Sequence, residues 1–426
     1  MTTYSLLSPP GQPVRTLAEY ERVGGYQALA KALTRMRPED VILEVKRAGL
    51  RGRGGAGYPT GLKWAKGAVR EESPKYFCCN AAEGEPGTLK DRHLITHNPH
   101  QLLEGLIIGA YAIGARRAYL CIKHHFAEAI EALEQAIAEA GARGYLGHRI
   151  MGTGVDLELT LVKGPNSYLY GEETAMLEVI EGRAPMPRQS PPYPTERGLF
   201  GKPTVVNNVE TLSNIPHIIG HGADWFLKTG TDRCPGTMVF SLTGAVERPG
   251  VYELPMGTPL RDLIYTHGGG MAGGRRLKAV FPGGPSNTIL TESSLDVRMD
   301  YDSLPAAGSG LGSGGAIVFD ESACMVKAAL DLCAFFMKES CGQCPTCRMG
   351  TANLVDALRQ LEEGRGTADT IERLDQLPKF VDGTGLCTLI DGAAHVVEST
   401  MRFFRAEYLA HVQEKGCWAR RGRSHA

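Results

Sequence analysis

Cys341, Cys344 and Cys347 recur at every third position, Pro345 stiffens the run between them, and a lone Cys387 follows well downstream. Thiolates are soft metal ligands, and three of them on one short loop can wrap a metal-sulfur cubane while a distant fourth completes sulfur ligation of the last iron. The chemistry of such a site is one-electron transfer. Zinc is the competitor, since four cysteines also build a structural zinc site, but zinc usually takes two separated Cys-x-x-Cys knuckles rather than a run of three and a singleton. Disulfides are disfavoured: residues 1–13 lack a basic stretch followed by an apolar one, so nothing points to an oxidising compartment. The remaining cysteines, Cys78, Cys79, Cys121, Cys234, Cys324, Cys333 and Cys417, have no ligand spacing, and most read as small buried hydrophobes.

A second cluster of usable residues lies near the N-terminus. Residues Leu50 to Trp64 read LRGRGGAGYPTGLKW, in which Gly52, Gly54 and Gly57 have the G-x-G-x-x-G spacing that brings backbone amides against a pyrophosphate. The dinucleotide fingerprint follows a strand and opens a helix, whereas here a helix is expected before the loop and a strand after it. Gly61-Leu62-Lys63 also lacks the Gly-Lys-Ser/Thr run of a Walker loop. A flexible interdomain loop is the plain alternative, and Arg51, Arg53 and Lys63 favour an anionic ligand over it. Glu83 and Glu85 sit on the loop Ala81 to Gly87 after an expected strand, where they could meet ribose hydroxyls or an amide, or form a solvated acidic turn. Glu172 and Glu173 open an expected helix, a placement that capping would also explain. Asn207 and Asn208 could offer amides to a phosphate or a ring system, as they would to a plain turn.

The elements that must hold these residues follow from pattern. At 426 residues, 42% hydrophobic and 22% charged, the chain is long and apolar enough for two or three domains. A net charge of -1 gives no electrostatic case for nucleic acid, and Arg420, Arg421 and Arg423 read as a solvated end. The longest apolar stretch, Leu102 to Ala115, is broken by Glu104 and falls short of the roughly 20 residues of a membrane span. Helices are expected at Glu39 to Ala48, from Pro99, at Ala127 to Ala140 and at Gly171 to Glu181, alternating with strands at Lys75 to Asn80, Ala118 to Ile122 and Val155 to Lys163. Such alternation predicts a parallel sheet with helices packed on it and a ligand crevice beyond the carboxyl ends of the strands. After Gly236 the pattern changes to strands at Thr237 to Val246 and Val251 to Leu254 with a short helix at Pro259 to Tyr265, a small α+β module that ends at the glycine-rich stretch Gly308 to Gly315. Helical periodicity at Met325 to Lys338, Ala352 to Glu362, Thr370 to Phe380 and Ala393 to Tyr408 predicts a bundle. The expected domains are 1–235, 236–322 and 323–426.

The motifs taken together resemble one family. RGRGGAGYPTGLKW (Arg51 to Trp64), CNAAEGEPGTLKDR (Cys79 to Arg92), YGEETAMLEVIEGR (Tyr170 to Arg183), GKPTVVNNVET (Gly201 to Thr211) and ESCGQCPTCR (Glu339 to Arg348) make the whole chain similar to the NADH-oxidising flavoprotein subunit of respiratory complex I, a unit shared with NAD-dependent hydrogenases and formate dehydrogenases. The resemblance implies a Rossmann-like FMN domain (α/β), a small ubiquitin-like β-grasp module (α+β) and an all-α C-terminal four-helix bundle carrying one 4Fe-4S cluster on Cys341, Cys344, Cys347 and Cys387. It implies that Gly52, Arg53, Gly54, Gly55, Gly57, Lys63, Asn80, Tyr168, Gly171, Val206, Asn207 and Asn208 line the FMN, and that Glu83, Glu85, Glu172 and Glu173 surround the flavin and incoming NADH, with Glu85 and Glu173 nearest the chemistry. Tyr58 and Tyr193 stand where the family has aromatic residues that can stack on adenine. A thioredoxin-like 2Fe-2S subunit and a larger iron-sulfur subunit are the implied partners, with a cytoplasmic location on the inner face of the membrane reached through other subunits. Ala82, Tyr170 and Ser190 depart from the family's usual aspartate, cysteine and lysine, and read as tuning of nucleotide affinity. Two other outcomes stay open: the diaphorase subunit of a soluble hydrogenase or formate dehydrogenase, and a non-catalytic electron-relay subunit.

Overall fold

A computed structural model describes residues 6–7 and 12–417. Arg420, Arg421 and Arg423 lie outside the described residues, as does most of the stretch 1–13. The described chain divides into two compact units, the first drawn from Met1–Gly84, Leu89–Phe240 and Val251–Thr258, the second from Glu85–Thr88, Ser241–Gly250 and Pro259–Ala426.

The first unit is built on four parallel strands, β1 (Tyr76–Ala81), β2 (Arg117–Lys123), β3 (Glu158–Gly164) and β4 (Thr204–Asn208), in the order β3-β2-β1-β4. The central β1 reads YFCCNA and is buried along nearly its whole length, as a strand covered on both faces must be. Parallel pairing needs a crossover, which the helices Lys90–His97 and Pro99–Ile113 make between β1 and β2, and Ala127–Arg143 makes between β2 and β3. The helix Pro99–Ile113 begins at an Asn98 cap with proline in its first turn and ends at a left-handed Gly114. Its interior is almost wholly buried: Gly105 lets it lie directly on the Leu212 carbonyl, and Gly109 makes room for the rings of Phe77 and Trp64. Glu104, the one acid in that apolar helix, accepts hydrogen bonds from the Tyr20 hydroxyl, Tyr26 N and Leu29 N, and so ties down the N-terminal helices Leu17–Arg22 and Gln27–Arg35. Periodicity did not reveal those two helices.

A larger departure from expectation is the helix Thr60–Ala68, which the glycine loop opens into where a strand was expected to follow. Gly61 and Gly67 punctuate it and hide its period. They are there for contact: a side chain at Gly61 would meet the Lys46 backbone at 2.6 Å, and one at Gly67 the Val205 side chain at 2.6 Å. The acids expected to open a helix at Gly171 do so after a short 3-10 turn, Tyr168–Gly171, with the helix itself spanning Glu173–Ile180.

The strands β5 (Thr237–Gly244), β6 (Gly250–Pro255), β7 (Leu277–Phe281) and β8 (Gly315–Asp320) form a mixed sheet in the order β6-β5-β8-β7, with β8 parallel to β5 and antiparallel to β7. The boundary between the units runs through β5 and β6. The glycine-rich stretch expected to end this region leads into β8, and the helix expected at Pro259 to Tyr265 is a π-helical turn, Asp262–His267. The second unit ends in four helices, Met325–Glu339, Pro345–Glu362, Ala368–Val381 and Leu389–Gln413, packed on one another and burying Phe336, Leu354, Leu358, Leu374, Val397 and Met401. Among the described residues no helix is long and apolar enough to cross a membrane.

Candidate functional site

The glycine loop is closed at its neck: Gly52 N donates to the Tyr58 carbonyl and Thr60 N to that of Leu50, both at 2.9 Å. Gly55 (φ +140°) and Gly57 (φ +63°) adopt backbone conformations that side chains resist, and nothing lies within 4 Å of where a side chain at Gly55 would project. The loop therefore keeps one face of bare backbone open. On another side it presses on the end of β4, where a side chain at Gly54 would come 3.0 Å from Asn208 Cβ. Asn208 is in register with Asn80, so the two amides stand side by side at the carboxyl ends of β4 and β1. Asn80 Nδ2 donates to the Gly171 carbonyl at 2.7 Å and its Oδ1 accepts from Ala82 N at 3.1 Å, while a side chain at Gly171 would meet the Ala82 carbonyl at 3.1 Å, a tight contact that the backbone would have to give way to. Segments far apart in sequence thus meet at the strand ends where parallel sheets place ligands.

Lys63 supplies a cation there. Its Nζ donates to Glu173 Oε2 at 2.9 Å and to the Val206 carbonyl at 3.2 Å. Glu172 caps its helix, accepting from Thr174 N and Ala175 N. The Asn207 amide oxygen accepts from Trp64 Nε1 at 2.7 Å, so Asn207 braces the helix behind the loop. Tyr58 and Tyr193 are both exposed and both lie within electrostatic reach of Lys66, whose Nζ sits over the Tyr58 ring. Tyr168 packs beside Gly84. Arg53, expected beside exposed amides, turns inward instead: it is fully buried and donates to the Pro235 and Thr237 carbonyls. Arg51 likewise holds the Gly57 carbonyl.

The two loop glutamates separate. Glu83, in the first unit, is buried, accepting from Asp91 N and Arg92 Nε at 2.9 Å; burial, helped by the Asp91 charge, pushes its carboxyl above the usual range. Glu85 belongs to the second unit, where it accepts from Ser286 N at 2.9 Å and lies against Gly284. A charge network went unread in the sequence: Lys90, fully buried, pairs with Asp91 at 2.7 Å and Glu210 at 2.9 Å and donates to Asn208 Oδ1 at 3.2 Å. Burial would lower the Lys90 ammonium pKa, but the two carboxylates outweigh it and hold it raised. Asn208 Nδ2 donates to Asp91, so this network fixes the amide at the end of β4. Lys90 lies inside a quoted motif, but no local pattern betrays a lysine whose partner is more than a hundred residues away.

Of the unusual residues, Ala82 is buried and Ser190 exposed. Tyr170 fills the core beneath the strand ends, against Cys121 and the Val162 carbonyl, in space left by Gly164.

In the second unit, Cys344 is the N-cap of the helix Pro345–Glu362 and Cys347 lies in its first turn, while Cys387 immediately precedes Thr388, the N-cap of Leu389–Gln413. Two helix N-termini therefore carry three of the four cysteines, and burial pushes the Cys347 thiol up. The loops are joined: Leu386 N donates to Cys344 Sγ at 3.3 Å and Thr346 Oγ1 to the Thr384 carbonyl at 3.4 Å. Ser340 and Gln343 contact the sulfurs of Cys347 and Cys341. Three or more ligand atoms approach within 4.8 Å of one another at two places among the described residues, and these cysteines are at neither. Four cysteine sulfurs with no nitrogen or oxygen donor among them are the donor set of a 4Fe-4S cluster.

Comparison with known proteins agrees with both halves. The Nuo51 FMN-binding domain family matches residues 45–217, the NADH-ubiquinone oxidoreductase-F iron-sulfur binding region residues 327–411, and the SLBB domain residues 239–290. The chain is 50% identical to an F-type subunit of the NADH-quinone oxidoreductase of Rhizobium meliloti, covering 94% of this chain and 95% of the relative. It is 44% identical to the NADP-reducing hydrogenase subunit HndC of Solidesulfovibrio fructosivorans over 94% of this chain and 82% of that one. Among solved structures, a chain of an NAD+-reducing [NiFe]-hydrogenase superposes with a TM-score of 0.82 at 32% identity, over 95% of this chain and 67% of that chain. With an FMN-binding region around the glycine loop, an iron-sulfur region around the four cysteines and end-to-end identity of this order, the chain belongs to the family of F-type flavoprotein subunits of NADH-quinone oxidoreductase.

Proposed function

We propose that this chain is the electron-input subunit of a complex I type assembly, oxidising NADH at FMN and passing single electrons through a 4Fe-4S cluster to partner subunits. The observation that carries it is the open backbone of the glycine loop, set beside Lys63 and the paired Asn80 and Asn208 at the carboxyl ends of β1 and β4. FMN, when bound, supplies the conversion of a two-electron hydride from nicotinamide into single electrons that an iron-sulfur cluster carries away. The residues of the chain bind, orient and insulate. Gly54, Gly55 and Gly57 offer amides to the phosphate with Lys63 as counter-charge, while Gly52, whose amide is held by Tyr58, closes the neck of the loop that lines the flavin. Asn80, Gly171, Val206, Asn207 and Asn208 shape the flavin's seat, with Tyr168 beside it and Arg53 anchoring the loop from within. Glu83, Glu172 and Glu173 give the nucleotide side its acidic character; Glu173 accepts a hydrogen bond from a ribose hydroxyl and repels the extra phosphate of NADPH, and Tyr58 and Tyr193 stack on adenine. Cys341, Cys344, Cys347 and Cys387 ligate the cluster. The domains are a Rossmann-like FMN domain (1–235), a ubiquitin-like β-grasp module (236–322) and a four-helix bundle (323–426). A thioredoxin-like 2Fe-2S subunit and a larger iron-sulfur subunit take up the electrons, on the inner face of a membrane that this chain reaches through its partners.

The decisive experiment reconstitutes purified chain with FMN, iron and sulfide and follows reduction of an artificial acceptor by NADH. Turnover is expected; bound flavin with no NADH oxidation would instead make the chain an electron-relay subunit. The similarity to hydrogenase subunits supports a second reading, the diaphorase of a soluble hydrogenase. Affinity-tagged chain isolated from its own cells separates the two: quinone-reductase subunits are expected to co-purify, and hydrogenase subunits in their place would favour the second.

A further inference from the structure

The four C-terminal helices carry their cluster cysteines at one end: the close of Met325–Glu339, the start of Pro345–Glu362 and the start of Leu389–Gln413. The opposite ends of the same three helices hold a second group. Cys324 caps the start of the first, Glu362 closes the second, His411 lies in the last turn of the third, and Cys417 follows it. All four are buried, and their ligand atoms all lie within 4.8 Å of one another. A helix of 15 to 18 residues separates the two groups, about 22 to 27 Å at 1.5 Å per residue.

The geometry points to a structural zinc site formed by Cys324, Glu362, His411 and Cys417, stapling the end of the chain to the helices. Cys324 Sγ lies 3.4 Å from His411 Nε2 and 3.7 Å from Glu362 Oε1, and His411 Nε2 lies 3.3 Å from Glu362 Oε1. Tetrahedral zinc with ordinary Zn–S, Zn–N and Zn–O bonds has edges of about 3.6, 3.6 and 3.4 Å for the same three pairs. His411 Nδ1 donates to the Glu407 carbonyl at 2.7 Å, which places the ring proton there and turns the Nε2 lone pair toward the two sulfurs and the carboxylate. A backbone carbonyl behind the second ring nitrogen is the usual support of a metal-bound histidine. The donor set, two thiolates, an imidazole and a carboxylate with no gap for substrate, is that of a closed zinc site, and binding would release the two thiol protons to solvent.

The backbone is bent to deliver the fourth ligand. After the last helix, Lys415 (φ +55°) and Gly416 (φ +121°) both take left-handed conformations, and Gly416 N donates to the His411 carbonyl at 3.0 Å. The turn doubles back onto Gly364, whose missing side chain admits the Lys415 carbonyl. A non-glycine residue held at positive φ in a turn that carries Cys417 to a buried cysteine, histidine and glutamate is strain with a purpose.

The test measures zinc and iron together in full-length protein that carries its iron-sulfur cluster, prepared anaerobically and washed with EDTA. About one zinc per chain is expected, falling at least tenfold in Cys417→Ser while iron is unchanged. Cys333→Ser, which removes a buried cysteine outside the group, should keep its zinc. If Cys417→Ser fails to fold, protein grown with cobalt in place of zinc serves instead, and should show thiolate-to-cobalt charge transfer with the intense visible bands of tetrahedral cobalt. Wild-type protein with its full iron but no zinc, zinc undiminished in Cys417→Ser, cobalt protein without those bands, or a Cys324–Cys417 disulfide found by mass spectrometry would each overturn the proposal.

Discussion

Lys63 reaches across the strand ends to Glu173 and to the Val206 carbonyl, so one ammonium holds together two segments of the candidate flavin site. A phosphate arriving at the glycine loop gains a counter-charge already in place. Lys63→Met is expected to weaken FMN binding by roughly 10- to 100-fold, the value of about 1.5–3 kcal/mol for a charge-assisted hydrogen bond. Titration followed by flavin fluorescence checks this, and unchanged affinity would remove Lys63 from the site. Lys90 works differently, since it is fully buried among Asp91, Glu210 and Asn208. Replacing it with Met would leave Asp91 and Glu210 buried without their cation, a loss of about 3–5 kcal/mol of stability in urea unfolding. The sign of its pH dependence follows from Glu210, whose carboxyl burial pushes above 4.5 against the pull of Lys90. A raised carboxyl pKa means stability present at low pH and lost as pH rises through the folded value. Lys90→Met should therefore be most damaging near pH 8 and recover toward pH 5; a pH-independent loss would contradict the electrostatic account.

At the level of strands and helices, close approaches of backbone position the site. Gly164 ends β3 and leaves the space that the Tyr170 ring fills, just before the helix whose start carries Glu172 and Glu173. Gly164→Ala should destabilise by about 1–3 kcal/mol through overpacking, and most of that loss should vanish in Gly164→Ala/Tyr170→Cys, where the ring is gone. Additive thermal shifts in that double-mutant cycle would mean that the two positions do not share the space.

For the whole chain, the glycine loop, Lys63, Asn80 and Asn208 lie in one compact unit and the four candidate cluster cysteines in the other. Cys387→Ser is accordingly expected to lose iron and labile sulfide while keeping FMN near the wild-type level, as read by metal, sulfide and flavin analysis of the same preparation. Loss of flavin along with iron would show that the units do not hold their groups independently. A chain with two prosthetic groups also has two distinct ways to fail, and this variant separates them.

The cysteine run, the glycine loop, three of the four strands of the parallel sheet and the three longest helices of the first unit could be read directly, because ligand spacing, turn chemistry and hydrophobic period are local properties of a few neighbouring residues. The helix Thr60–Ala68 could not, since the glycines that let it pack against Lys46 and Val205 look like loop punctuation until their neighbours are known. Nor could the inward turn of Arg53, the pairing of Lys90 with Glu210, the parting of Glu83 from Glu85, or the gathering of Cys324, Glu362, His411 and Cys417, four residues with no common spacing. Each depends on which distant segments are brought together to bury a charge or a thiol. Long-range burial sets these partnerships, and it leaves no period or motif in the order of the residues.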